Sequence, residues 1–273
     1  MKNTVARTYL FVPGDRPERF AKACAAGAHA VIIDLEDAVP PAAKQAARAA
    51  AAGWVSPDHP VFVRVNGAGS EWFTDDLALC GLPGVAGIVL PKAESPADVA
   101  RIKAAGATLV LPLIETAQGV WNAHALATTS GVQRLMFGSI DFQLDAGFDG
   151  DVDELLYVRS QLVLVSRVAG IQSPVDGVTT AIDDPEQLRA DTQRARRLGF
   201  GGKLCIHPKQ VEPVNRYFMP GDEDIAWARR VLQAAEAAQG AAVALDGKMV
   251  DLPVIRKAEE IMSEAERAEK AGN

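Results

Sequence analysis

Cysteine is scarce in this 273-residue chain: Cys24, Cys80 and Cys205 are odd in number, far apart and in no CxxC pair. They build neither a disulfide framework nor a thiolate zinc site, and they predict reduced, structurally buried thiols. The four histidines are too scattered for a zinc site. Basic residues are in deficit, 28 against 35 acidic, for a net charge of −7. That excludes a general nucleic-acid binder, which needs a basic face, but leaves room for a local basic pocket. No run of roughly 18 apolar residues occurs, so no membrane span is expected. The first stretch, MKNTVARTYLFVPGDRPERF, lacks an apolar segment followed by a cleavage site, so no signal peptide is expected. These absences predict a cytoplasmic protein bound to neither nucleic acid nor membrane.

What is present is alternation. Short apolar, β-branched segments recur at TYLFVPG (8–14), AVIIDLED (30–37), PVFVRVNG (60–67), GIVLPKAE (87–94), TLVLPLIET (108–116), RLMFGSIDF (134–142), IQSPVDGV (171–178) and GKLCIHP (202–208). Most are apolar on both faces, as parallel strands covered by helices are. Between them lie helix candidates at Pro17–Ala26, Pro41–Ala52, Pro96–Ala105, Ala117–Thr128, Glu154–Ala169 and Pro185–Leu198, several opened by proline, which suits a first helical turn. Eight repeats predict a (β/α)8 TIM barrel over 1–220. A doubly wound open sheet would carry GxGxxG after its first strand. VPGDRPER does not match, and Asn66-Gly-Ala-Gly-Ser lacks the third glycine. The remainder, 221–273, reads as a C-terminal helical extension: a helix over Asp222–Gln239, a short strand or loop over Ala241–Asp251 and a helix over Val254–Ala271. It forms either an extra layer or an arm packing on a neighbouring subunit.

In such a barrel, polar residues at the C-terminal strand ends line the active site. Collected in order, they are Asp15 and Arg16, Glu36 and Asp37, Arg64 and Asn66, Lys92 and Glu94, Glu115, Asp141, Asp176 and His207. Several carboxylates at one mouth repel each other unless a cation intervenes, and an all-oxygen set selects magnesium, calcium or manganese over zinc. Glu115 and Asp141, read as the tips of consecutive strands about 4.8 Å apart, are the pair placed to share one ion. Separately, Glu115 has the alternative of capping the next helix, and Asp141 of merely ending a strand. Arg64 closes the apolar run VFVRV, where an unpaired guanidinium is not tolerated; it either pairs with Glu36 or Asp37 or forks onto a substrate carboxylate. Lys92 is either an ion-paired ammonium beside Glu94 and Asp37 or a Schiff-base amine. His207 is either a general base or satisfied locally. Arg16, Arg19 and Lys22, at the turn into the first helix, are either a phosphate-binding group or a solvated helical turn.

The stretches FVPGDRPERFAKA, VIIDLEDAV, RVNG, VLPKAES, LIETAQGV, CIHPKQV and DGKMVD, in order from Thr8 nearly to Ile261, resemble the citrate lyase beta-subunit family, which includes malyl-CoA and citramalyl-CoA lyases. The resemblance implies a homo-oligomeric barrel enzyme, a trimer or hexamer. It implies magnesium, with manganese as a substitute, and chemistry at the carbon–carbon bond between a 2-oxo acid and an acyl-CoA thioester. It assigns the metal to Glu115 and Asp141, the oxo-acid carboxylate to Arg64, and acid/base work to Asp251, supplied by a neighbouring subunit in several members. The bland alternative for Asp251 is a cap on the helix after Leu252-Pro253. Arg16, Arg19 and Lys22 would then meet the coenzyme A phosphates, with Glu36, Asp37 and Lys92 supporting the site. Close relatives carry Glu-Asp after the strand-six glycine, whereas this chain reads Gly138-Ser139-Ile140-Asp141, which leaves the substrate open. Rival readings are a citrate lyase beta subunit acting on an acyl-carrier protein within a complex, and a class I aldolase using Lys92. A thioesterase step and a malate synthase-like condensation also fit such a family.

Overall fold

The computed structural model describes residues 6–238 and 242–272, which form two compact units, Met1–Asn215 and Arg216–Asn273. The first is a closed parallel barrel of β1 (Thr8–Pro13), β2 (Ala30–Asp34), β3 (Val61–Arg64), β4 (Val85–Leu90), β5 (Val110–Ile114), β6 (Met136–Phe137), β7 (Val175–Asp176) and β8 (Gly202–Cys205). Closure comes from β1, which pairs with β2 on one side and β8 on the other. The interior is filled by Tyr9, Ile32, Val89, Leu111, Leu113, Met136, Val175 and Leu204. Bulky, mostly branched side chains from successive strands make this a packed core rather than a pore.

The eight expected strands are all present but shorter, because the polar residues at their ends have already left the ladder. The largest difference is at 134–142. Only Met136–Phe137 is strand; Gly138 then caps a helix over Ser139–Ala146. Asp141 therefore lies in a first helical turn, not at a strand tip. The helix expected over Ala117–Thr128 is broken at Asn122 into Ala117–Trp121 and Ala123–Ala127, and the Asn122 amide donates to the Glu94 carbonyl at 2.8 Å. Pro185–Leu198 matches its expected bounds, with the Asp184 side chain accepting the Gln187 N–H and Gly199 left-handed at φ 100°. Each terminus uses the residue type its geometry favours.

The second unit holds a helix over Asp222–Ala237, a hairpin of β9 (Val243–Leu245) and β10 (Lys248–Val250), and a helix over Leu252–Gly272. Gln239 and Ala241, at the edges of two expected elements, lie outside the described residues. Asp246 and Gly247 both have positive φ, which is what an Asp-Gly two-residue hairpin turn needs. Ala228, Val231, Val250, Ala258 and Ile261 give this unit its own small core. Among the described residues no helix is long and apolar enough to cross a membrane.

At the N-terminal end of β6, Arg134 is fully buried without a carboxylate. Its guanidinium donates to the carbonyls of Ser173, Ala6 and Pro174 and lies over the Tyr9 ring. Removing it strands carbonyls that water cannot reach. Arg134→Met should cost on the order of 3 kcal/mol in urea unfolding, and a loss well below about 1 kcal/mol would show that this plug is not structural.

Candidate active site

The C-terminal end of the barrel gathers charge through strand register. β2 and β3 pair with Asp34 directly beside Arg64. Arg64 donates from Nε and Nη2 to the two Asp34 carboxylate oxygens, both at 2.6 Å, while Nη1 stands 2.9 Å from Glu36 and 4.0 Å from Asp37. The bidentate fork is thus occupied by Asp34, a residue within the apolar run AVIID. Glu36 and Asp37 face only the remaining nitrogen. Asp34 also accepts the backbone N–H groups of Glu36 and Ala38, which fixes the turn carrying those two acids. The same turn is held from below by buried Lys44, which donates to the Leu35 and Glu36 carbonyls.

Lys92 follows β4 with φ at 46°, an uncommon and costly conformation for a residue with a side chain. Its backbone N–H donates to Glu115 Oε1 at 2.7 Å, and its ammonium donates to Glu36 Oε1 at 2.6 Å. The same Nζ lies 3.8 Å from Asp37, 3.9 Å from Glu115 and 3.9 Å from Asp141. Glu115 and Asp141, contributed by β5 and by the helix after β6, therefore face one shared cationic point. Gly138 makes this possible, since a Cβ there would overlap the Glu115 carboxylate. Glu115 is 1% exposed, and Ser139 beside it is equally buried, with no hydrogen-bond partner for its hydroxyl. A cavity of about 440 Å3 opens here, and Asp34, Arg64, Glu115 and Asp141 are among the residues lining it.

Other expected residues lie elsewhere. His207 is satisfied locally: its Nδ1 accepts the Lys209 N–H as the cap of a short helix. Asp176 pairs with Arg159, Asn66 with Asp76, and Glu94 accepts the Thr116 hydroxyl. Arg16, Arg19 and Lys22 are exposed on the turn and helix after β1, and none lines the cavity. Asp251, in the second unit, follows β10, and its Oδ1 accepts the Val254 N–H at 3.4 Å.

Residues 7–208 match the HpcH/HpaI aldolase/citrate lyase family. The chain belongs to that family. Aldolases and citrate lyase both act on carbon–carbon bonds, and this chain is a carbon–carbon lyase. A citrate lyase subunit beta-like protein of Deinococcus radiodurans is 40% identical over 94% of this chain and 96% of its own length. A (3S)-malyl-CoA thioesterase of Cereibacter sphaeroides is 35% identical over 95% and 94%. The crystal structure of CitE from Mycobacterium tuberculosis in complex with magnesium, acetoacetate and coenzyme A superposes with a TM-score of 0.87, at 36% identity over 96% of this chain and 98% of that one.

Within this family member the electrostatics single out Glu115. Burial pushes its carboxyl up to about 8, with Glu36 and then Asp141 adding to the rise against Arg64 and Lys92. Glu36 is raised too, mainly by burial, while Arg64 and Lys92 pull it down. Lys92 is opposed by burial, but its bond to Glu36 and the neighbouring carboxylates outweigh that and hold its pKa above the usual value. It stays an ammonium, which argues against a Schiff-base role. Among the described residues no group of three or more His, Cys, Asp or Glu side chains is arranged to hold a metal ion. A cation here would rest on two carboxylates and on ligands from outside the chain.

Below its unfolded pKa Glu115 is protonated in both states. Between there and about 8 only the folded protein keeps the proton, so stability falls as pH rises, and above 8 the dependence ends. In chelator, the thermal midpoint of the wild type should fall between about pH 5 and 8, and Glu115→Gln should flatten that slope. Parallel pH profiles for the two proteins would contradict the assignment.

Proposed function

We propose that this lyase is magnesium-dependent, with manganese as a substitute, and cleaves or forms a 3-hydroxyacyl-CoA of the malyl, citramalyl or citryl type, with an acyl-CoA and a 2-oxo acid as the other side of the reaction. The observation that carries the reading is the convergence on one cationic point of Asp141 and of Glu115, a buried carboxyl pushed up to about 8. Two oxygen donors with room for outside ligands suit magnesium, which is held by one or two carboxylates plus water and substrate oxygens. The M. tuberculosis relative, whose complex holds magnesium, acetoacetate and coenzyme A, supports magnesium and a coenzyme A thioester as the groups bound.

In the cleavage direction a base takes the hydroxyl proton and the carbon–carbon bond breaks. Its electron pair passes to the α-carbon of the thioester as an enolate, the former carbinol carbon leaves as the 2-oxo acid, and a proton returned to the α-carbon gives the acyl-CoA. Bound magnesium supplies Lewis-acid charge at the oxo-acid oxygens. Arg64 is locked on one edge by Asp34, and its Nη1, now 2.9 Å from Glu36, is the nitrogen that would turn to the oxo-acid carboxylate and so align the reacting carbons. The unpartnered Ser139 hydroxyl donates to a ligand oxygen. Glu36 and Lys92 hold the mouth's charges in place, and Arg16, Arg19 and Lys22 meet the coenzyme A phosphates. Asp251, from a second copy of the chain, handles the proton.

Screening malyl-, citramalyl- and citryl-CoA for release of glyoxylate, pyruvate or oxaloacetate tests the reaction. Activity should vanish in EDTA and return with magnesium. Glu115→Gln and Asp141→Asn should each lose at least about 100-fold while keeping the wild-type circular dichroism spectrum. Near-normal turnover by either variant at saturating magnesium would remove it from the metal site. Mixing Asp251→Ala with Arg64→Ala chains should restore activity, because some mixed oligomers then hold one intact site. No rescue despite demonstrated subunit exchange would leave Asp251 as a helix cap.

A further inference from the structure

Lys92 stands in the wall between two cavities. It does not line the one described above, to which Glu115 and Asp141 belong. It lines a second, of about 550 Å3, together with Glu36, Glu94, Asp98 and Thr116. From that wall its ammonium donates to Glu36 at 2.6 Å and still lies 3.9 Å from both Glu115 and Asp141, the two carboxylates proposed to hold the metal. That distance is too long for a hydrogen bond to either, so the charge serves the pair without being bonded to it.

The side chain is also free to leave. The Lys92 main chain is anchored by its N–H bond to Glu115, but its side chain is 43% exposed where that of Glu115 is 1% exposed. The second cavity offers a cation other carboxylates, Asp98 and Glu94, the latter fixed there by the Thr116 hydroxyl. The other lysine lining that cavity, Lys44, is engaged by the Leu35 and Glu36 carbonyls. Resting on the magnesium reading above, we propose that Lys92 is a placeholder cation: it holds Glu115 and Asp141 together in the metal-free site, opposes entry of the ion, and turns into the second cavity once the ion is bound. Two carboxylates with no cation between them repel each other, and two cations on one carboxylate pair do the same. A lysine that merely held the acids in position would leave the opposite signature. Its loss would loosen the site and weaken metal binding, whereas loss of a competing charge strengthens it. The sign of the change decides.

The test uses manganese as a paramagnetic probe, with free ion counted by electron paramagnetic resonance on the full chain without substrate. Lys92→Met and, separately, Lys92→Gln should each bind manganese about tenfold or more tightly than the wild type. In the wild type, labelling of Lys92 by an amine-acetylating reagent, read by mass spectrometry relative to the other lysines, should rise when magnesium is added. The labelling needs no variant, so it stands even if both substitutions misfold. Affinity unchanged or weakened in either variant that keeps the wild-type circular dichroism spectrum would overturn the placeholder while leaving the metal site in place. Labelling unmoved by magnesium would do the same. No saturable manganese binding by the wild type or either folded variant would overturn both.

Discussion

The mouth of this barrel is short of positive charge. Asp34, Glu36, Asp37, Glu115 and Asp141 each stand within 4 Å of Arg64 or Lys92, five acids against two cations. Buried charges of one sign are tolerated only when paired or neutralised. The protein settles the deficit in two ways. Arg64 is spent almost wholly on Asp34, and Glu115 holds a proton at pH values where an exposed glutamate would have lost it. With Glu115 protonated, two negative charges remain uncompensated, the charge that a divalent cation brings.

Backbone features hold the remaining pieces in register with that deficit. The Asp34–Arg64 pair is a direct neighbour pair across two parallel strands, so slipping either strand by one residue would move the guanidinium to the opposite face of the sheet. Gly138 clears the space Glu115 occupies, and the early exit of β6 after Phe137 brings Asp141 onto a helical turn. Positions come from the scaffold, while chemistry comes from the side chains at its rim.

The barrel was legible because eight apolar segments alternate with amphipathic ones, a pattern with few alternative solutions. Strand ends were less so. Gly138-Ser-Ile-Asp continues an apolar-polar alternation and reads as strand, but glycine followed by serine also begins a helix, and only packing decides between the two. Asn122 was invisible as a break because its helix-ending bond goes to the Glu94 carbonyl, 28 residues back. Asp34 was overlooked as a partner although its signal was present: a carboxylate inside an apolar run needs a cation, and Arg64 sits at the matching position of the next strand. The second unit showed its helices in the sequence, whereas the role of Asp251 is not written in any local pattern.

Lys92 carries a cost of a different kind. Its left-handed backbone would suit glycine or asparagine better, and the bond from its N–H to Glu115 would survive either replacement, since it belongs to the main chain. Only the ammonium requires lysine. A search for thermostable variants would therefore be drawn to position 92, gaining stability by relieving the backbone while discarding the cation that bridges four acids. The position marks a trade-off between backbone strain and what the side chain does, and a stabilised variant would keep its fold but lose charge control at the site.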